Sequence, residues 1–156
     1  MNIRQAQKKD IPGILQTLLE VCQVHHNGRP DLFRSGGQKY NETELEELIK
    51  DHTRPIFVAV DNTGKVLAHA FCIYQQYKNN SVLTDVKTLY IDDICVLKEC
   101  RGQHIGKQMY EYVYQFAKEN GFYNITLNVW SLNEPAIKFY ESCGLIPQKV
   151  GMETIL

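Results

Sequence analysis

Val96–Gly106, V-L-K-E-C-R-G-Q-H-I-G, ends an apolar strand and passes through a basic, glycine-containing turn into an amphipathic helix. A strand that feeds a helix through such a turn builds an anion site. The first helical turn carries backbone N–H groups with no intrahelical acceptor, together with the positive end of the helix dipole. Arg101, Gly102 and Gly106 suit that task, because glycine admits close approach of backbone to phosphate and arginine adds charge. The same strand, glycine turn and helix also occur in α/β proteins that bind nothing there.

A second segment, Asn128–Leu145, N-V-W-S-L-N-E-P-A-I-K-F-Y-E-S-C-G-L, predicts a short helix after a strand. Asn133 is the N-cap, Pro135 sits in the first turn where its missing N–H costs little, and Gly144 ends the helix. With R-G-x-x-I-G and N-x-x-A-x-x-F-Y-x-x-x-G separated by one helix and one strand, the chain resembles the GNAT superfamily of acyl-CoA-dependent N-acetyltransferases. The resemblance covers most of the chain and is strongest from Tyr90 to Leu145. L-Y-I-D-D-I-C-V (89–96) and W-x-x-N-E-P-A-I-K-F-Y (130–140) are most similar to the spermidine/spermine (diamine) acetyltransferase branch. The family's turn reads R/Q-x-x-G-x-G/A, and His104 stands here where the first of those glycines is expected, which predicts a less permissive loop.

That resemblance implies an α/β, GNAT-like acyl-CoA N-acyltransferase fold of α+β type: a central, mostly antiparallel twisted sheet flanked by helices, with residues 1–156 as one domain. It implies acetyl-CoA as the donor. The pyrophosphate is expected on the N–H groups of Arg101, Gly102, Gln103, His104, Ile105, Gly106 and Lys107. Strand groups at Ile94, Cys95 and Val96 are expected to bond the pantetheine amides, with Asn133, Ala136 and Tyr140 also at the cofactor. It further implies a homodimer formed through the C-terminal strands.

Length and composition are those of an ordinary soluble globular protein of one domain. The chain has 156 residues, 44% hydrophobic and 22% charged, enough to bury a core without staples. No stretch is long and apolar enough to cross a bilayer, and no signal-peptide pattern is expected at the start. Cys22, Cys72, Cys95, Cys100 and Cys143 are odd in number and lack C-x-x-C spacing, so reduced thiols and a cytoplasmic location are expected. A net charge of −1 gives no basic field for nucleic acid.

Along the chain, Asn2–Ala6 predicts a strand, and Asp10 caps a helix with Ile11, Ile14, Leu15, Leu18, Leu19 and Cys22 at helical spacing. His25–Gln38, rich in glycine, predicts a loop that lines the acceptor side in the family resembled. Asn41 and Glu44 form a capping box for a helix to about Lys50. Strands follow at Ile56–Val60, Lys65–Tyr77 and about Lys87–Leu97, the first two joined by D-N-T-G. Gly102–Asn120 predicts a helix closed by Gly121, Tyr123–Trp130 a strand, Asn133–Cys143 a helix, and Leu145–Leu156 one or two final strands.

Acetylating an amine requires removing a proton from an ammonium, stabilising an oxyanion and protonating a departing thiolate. Asp92 and Asp93 interrupt an apolar strand where buried carboxylates are costly without a purpose or partner. Strand alternation sends them to opposite faces, Asp92 with Tyr90, Ile94 and Val96. Asp92 occupies the position of a catalytic Glu in the branch resembled, so it is the expected base, acting directly or through water. Asp93 orients a neighbour or bonds backbone, and a solvated or ion-paired structural role is the alternative for both. A backbone N–H near Val96 suits the thioester carbonyl. Tyr140 is the expected acid for the thiolate, with packing as its alternative.

Expected contacts for a primary-amine acceptor, polyamine-like or otherwise small and cationic, are His26, Asp31, Phe33, Asp93 and Trp130, with Glu42 a further acidic group; a protein or peptide amine is a further possibility. Cys95, Cys100 and His104 match no common zinc spacing, so no metal is expected, and a Cys95 nucleophile is equally unspecific. The competing function is a non-catalytic CoA-binding sensor that keeps the fold, for which His104 is the best support.

Overall fold

The computed structural model describes residues 1–156. Strand β1 (Asn2–Gln5) leads through a short 3-10 turn into α1 (Ile11–Gly28), and α2 (Glu42–Lys50) follows a loop. Strands β2 (Ile56–Val60), β3 (Val66–Gln75) and β4 (Thr88–Val96) come next, then α3 (Ile105–Glu119), β5 (Asn124–Leu127) and α4 (Glu134–Ser142). The strands form one sheet in the order β1-β2-β3-β4-β5. All neighbours are antiparallel except β4 and β5, which run parallel because α3 crosses over between them.

Each sheet face buries a separate core. On one side Phe57, Ala70, Cys72, Leu89 and Ile91 meet Ile105, Met109, Tyr110, Val113 and Ala117 of α3. On the other, Ile56, Val58, Val60 and Phe71 meet Ile11, Ile14 and Leu18 of α1 and Leu45 of α2. Alternation along β2 gives it residues on both faces, and all of β2 is buried. α1 approaches β3 closely at Gly13, where a Cβ would lie 2.6 Å from Val66 Cβ, so any side chain would push the helix off the sheet.

Local signals explain the element ends. Asn41 Oδ1 accepts from Glu44 N–H at 2.9 Å while Glu44 Oε2 accepts from Asn41 N–H at 2.8 Å, completing the expected capping box. Gly121 and Gly144 take φ of 69° and 90° and close α3 and α4, and Gly64 at φ 90° turns the β2–β3 hairpin.

The structure corrects several boundaries. α1 continues through His25–Gly28, so the loop starts at Arg29, whose N–H bonds His25 O at 2.9 Å. Its polar, glycine-bearing end resembles a loop in sequence, yet nothing there prevents the last helical hydrogen bonds. α3 begins at Ile105 rather than Gly102, because Gly102 and His104 both have positive φ. The tail from Leu145 forms no strand. It has no neighbour to pair with, and Ile146, Val150, Met152 and Ile155 stand exposed, with Glu153 tied to Arg29.

Candidate active site

β4 and β5 pair only from Thr88↔Asn124 to Ile91↔Leu127. Beyond that point β5 ends and β4 continues to Val96, so residues 92–96 have no partner strand on their β5 side. A cleft with unpaired strand backbone along one wall is therefore built into the sheet, and an extended ligand can add itself there as a strand does.

The cleft opens at a β-bulge. Phe71 of β3 faces Asp93 and Cys72 faces Ile91, leaving Asp92 without a partner. The extra residue inverts the alternation. Leu89 and Ile91 belong to the α3-side core, and so do Ile94 and Val96, although Ile91 and Ile94 are three apart in sequence. The expectation that Asp92 and Asp93 point to opposite faces, with Asp92 alongside Ile94 and Val96, is therefore overturned. Both carboxylates reach Lys39 Nζ, Asp92 Oδ2 at 3.0 Å and Asp93 Oδ2 at 3.4 Å. That ammonium also lies 5.8 Å from the ring centre of Tyr40 and 6.0 Å from that of Phe71. Burial disfavours the charged Lys39, but the Asp93 charge and the Asp92 hydrogen bond outweigh it and raise its pKa.

Behind Asp93 lies a buried relay that the sequence did not suggest. Thr17 Oγ1 lies 2.8 Å from Ile14 O and 2.6 Å from His69 Nδ1. His69 Nε2 lies 4.0 Å from Asp93 Oδ1 and has no hydrogen-bond partner. Burial pushes the imidazole down to about 4, the Asp93 charge opposing and the Lys39 charge assisting, so His69 is neutral at neutral pH. A histidine inside the apolar run V-L-A-H-A-F-C was the available signal, and Lys39 had none.

Tyr140 of α4 shares the field of Asp93, Cys95 and Tyr90. Burial first, then those neighbours, raise its phenol well above the ordinary value, so it holds its proton. The Cys95 thiol is likewise pushed up to about 12 by burial. It is not a thiolate, which removes the basis for a nucleophilic cysteine. No group of His, Cys, Asp and Glu side chains gathers as metal ligands do.

At the far end of β4 the chain passes a 3-10 turn (Lys98–Cys100) into the 101–107 loop. Gly102 has φ 76°, and His104 has φ 59° and ψ 11°, the left-handed conformation a glycine adopts most cheaply. His104 thus keeps the shape of the loop. The backbone N–H groups of Gly102–Lys107 meet no protein acceptor; intrahelical bonding starts at Gln108 N–H to His104 O, 3.1 Å. Gly106 lies 3.5 Å from both Phe139 and Val96 at its Cβ position, joining α3, α4 and β4. The Arg101 side chain turns back, Nε donating to Val96 O at 3.1 Å. Asn133 Oδ1 accepts from Ala136 N–H at 3.3 Å and caps α4.

On the acceptor side, Phe33 lies edge-on to Trp130, ring centres 5.4 Å apart, and its carbonyl lies 2.7 Å from His26 Nδ1. His26, Phe33 and Trp130 are thus brought together, beside a hollow of about 260 Å³ that includes His25, Arg29, Leu132 and Asn133. Asp31 is not free. It is bonded bidentately by Arg29, which also binds Glu153, and this pairing holds its carboxyl below the ordinary range.

The family model described as "Acetyltransferase (GNAT) family" matches residues 21–145. The chain belongs to this family. Its mixed α/β fold, a five-stranded sheet flanked by helices, agrees with that membership. The BH1408 protein of Bacillus halodurans, solved as a mutant, superposes with a TM-score of 0.95 at 29% identity, covering 100% of this chain and 99% of that one. An aminoglycoside acetyltransferase, meta-AAC0020, from an uncultured soil metagenomic sample and solved with sisomicin, shares the fold at TM-score 0.74 and 19% identity, over 99% and 95% of the two chains. "Probable N-acetyltransferase camello" of Xenopus laevis is 31% identical over 68 residues, 44% of this chain and 31% of that protein, so the match takes in less than a third of that relative.

Proposed function

We propose that this GNAT acetyltransferase moves acetyl from acetyl-CoA directly to a primary amine, and that the acceptor is a small cationic amine of polyamine-like kind. One observation carries the proposal. The bulge that gathers Asp92 and Asp93 on one face lies where β4 leaves β5, and at that spot the protein already holds a primary ammonium, that of Lys39.

Acetyl-CoA supplies an activated acetyl thioester when bound. The N–H groups of residues 101–107 would hold its pyrophosphate, the unpaired edge at Ile94, Cys95 and Val96 its pantetheine amides, and the α4 start at Asn133 and Ala136 would flank it. Asp92 accepts a proton from the acceptor ammonium, directly or through water. A backbone N–H near Val96 donates to the thioester oxygen as negative charge grows there. Tyr140, protonated in its raised state, gives its proton to the departing sulfur. Asp93, backed by His69, supplies a second negative charge to the acceptor once the acceptor has taken the place of the Lys39 ammonium. His26, Phe33 and Trp130 form an aromatic wall for its carbon chain, a role Asp31 does not share because Arg29 already neutralises it.

The sensor alternative loses its support, since His104 adopts the glycine conformation rather than distorting the loop. A homodimer through the tail is also proposed: exposed Ile146, Val150, Met152 and Ile155 lie on a segment with no strand partner in its own chain. A cytoplasmic site is proposed from the five free cysteines.

Release of CoA thiol from acetyl-CoA is to be followed against polyamines, amino acids, aminoglycosides and short peptides. Turnover concentrated in polyamines and related small cations is expected. Turnover confined to peptides or neutral amino acids overturns the acceptor class, and silence across the panel with acetyl-CoA bound overturns the catalytic reading. Sedimentation showing only monomer at micromolar concentration removes the dimer.

A further inference from the structure

Lys39 stands where the proposed mechanism requires an acceptor. Its Nζ lies 3.0 Å from the Asp92 carboxylate, the distance at which an acceptor ammonium must sit for Asp92 to take its proton. Asp93 and the Tyr40 and Phe71 rings complete a cage around it. Two ammonium groups cannot share that cage, so an external amine must displace this one.

We infer that Lys39 is an internal acceptor: with acetyl-CoA bound and no external amine present, the enzyme acetylates its own Lys39 side chain. The inference rests on the assignment of Asp92 and Tyr140 given above. In the transfer a bond forms between Nζ and the acetyl carbonyl carbon, and the carbon–sulfur bond of the thioester breaks. The ammonium loses two protons in becoming an amide; one ends on the CoA thiol and one reaches solvent by way of Asp92.

The backbone permits the small advance this needs. Lys39 belongs to the 29–41 loop, where Leu32 and Phe33 N–H groups bond Arg29 O and Gly37 N–H bonds Arg34 O, and no backbone–backbone bond anchors Gln38 to Tyr40. The segment is held by the Asn41 cap, an Arg54 to Tyr40 hydroxyl bond of 3.2 Å, the Tyr40 ring stacked on Phe71, the Cys22 thiol at the Lys39 backbone, and the Lys39 ion pairs themselves. Acetylation abolishes the cation, leaving Asp92 and Asp93 without their shared counter-charge and open to an external ammonium. Because the paired Lys39 is held in its charged form, transfer is slow and accelerates as pH rises.

The test uses the full chain and isotopically labelled acetyl-CoA, so that acetyl groups carried over from expression are distinguished, with label located by peptide mass spectrometry. Lys39 is expected to approach one acetyl per chain while the exposed Lys78 and Lys149 remain nearly unlabelled. The rate per chain should not change with protein concentration, and Tyr140→Phe and Asp92→Asn should each slow labelling at Lys39 at least about tenfold. A saturating external amine should slow it too. The inference fails if Lys39 stays unlabelled in protein shown by calorimetry to bind acetyl-CoA, if it is labelled no faster than Lys78, or if neither variant slows it. Turnover of a free amine with Lys39 unlabelled overturns this inference alone; thiol release by neither route overturns the assignment of the site as well.

Discussion

Asp92 and Asp93 are consecutive residues of an extended strand whose carboxylates meet the same ammonium, 3.0 and 3.4 Å from Lys39 Nζ. Regular alternation forbids this arrangement, and the bulge at Asp92 allows it. The two acids nonetheless differ: the Asp92 side chain is 24% exposed and faces the cleft, whereas Asp93 is 6% exposed and backs onto His69. Asp92→Asn is therefore expected to lower kcat/KM by about 10²–10⁴-fold, the range for loss of a general base, and Asp93→Asn by less than about tenfold. Steady-state kinetics of both variants on one amine checks this. Equal losses, or the larger loss at Asp93, would move the base by one residue.

Tyr140→Phe removes a hydroxyl and little volume. Since that phenol is held protonated, its absence should lower kcat on the order of 10²-fold while acetyl-CoA affinity stays within about twofold. Calorimetry gives the affinity and thiol release gives kcat. A variant that loses affinity but keeps kcat would make Tyr140 a packing residue.

Much of this was readable from the chain because local chemistry fixed it. Asn41 with Glu44, Pro135 after Asn133, and Gly121 and Gly144 specify helix ends whatever surrounds them. The bulge was hidden for a physical reason: burial along Thr88–Val96 alternates without interruption, half-buried then buried, even as the face inverts. Alternating polarity in the sequence therefore could not report the inversion. Lys39 was equally unreadable, since its role comes from a loop meeting a strand more than fifty residues away. The tail was misjudged because alternating apolar residues such as Val150 and Met152 imply a strand, whereas a strand also needs a neighbour.

His104 tests how much of the loop depends on conformation rather than side-chain identity. At φ 59° a β-branched residue is strained, so His104→Val should destabilise by about 1–2 kcal/mol and weaken acetyl-CoA binding. His104→Gly relieves backbone strain but gives the unfolded chain more freedom, and the two effects nearly cancel, leaving stability within about 0.5 kcal/mol of the parent. Urea unfolding with calorimetry on both variants distinguishes this from a side-chain role. Loss of binding in the glycine variant would show that the imidazole itself touches the cofactor.

The buried imidazole of His69 makes stability depend on pH with a definite sign. Its folded value of about 4 lies below the ordinary 6.5, so in that interval the unfolded chain binds a proton that the folded chain refuses. Stability contributed by the neutral imidazole is complete above pH 6.5 and declines as pH falls toward 4, by roughly 3 kcal/mol in all. Asp93 opposes the shift and Lys39 assists it, while Thr17 of α1 holds the ring at Nδ1, 2.6 Å away. Asp10 acts lower on the scale: burial raises it, but the Arg4 pair and the Gln7 N–H outweigh burial, so its contribution is lost only as pH drops below the ordinary 3.8. Urea midpoints measured from pH 7 to 4 should therefore fall steadily in the parent, and His69→Phe should flatten that fall. Parallel curves for the two proteins would mean that His69 takes up its proton without unfolding the chain, with Asp93 at 4.0 Å as the group able to stabilise it.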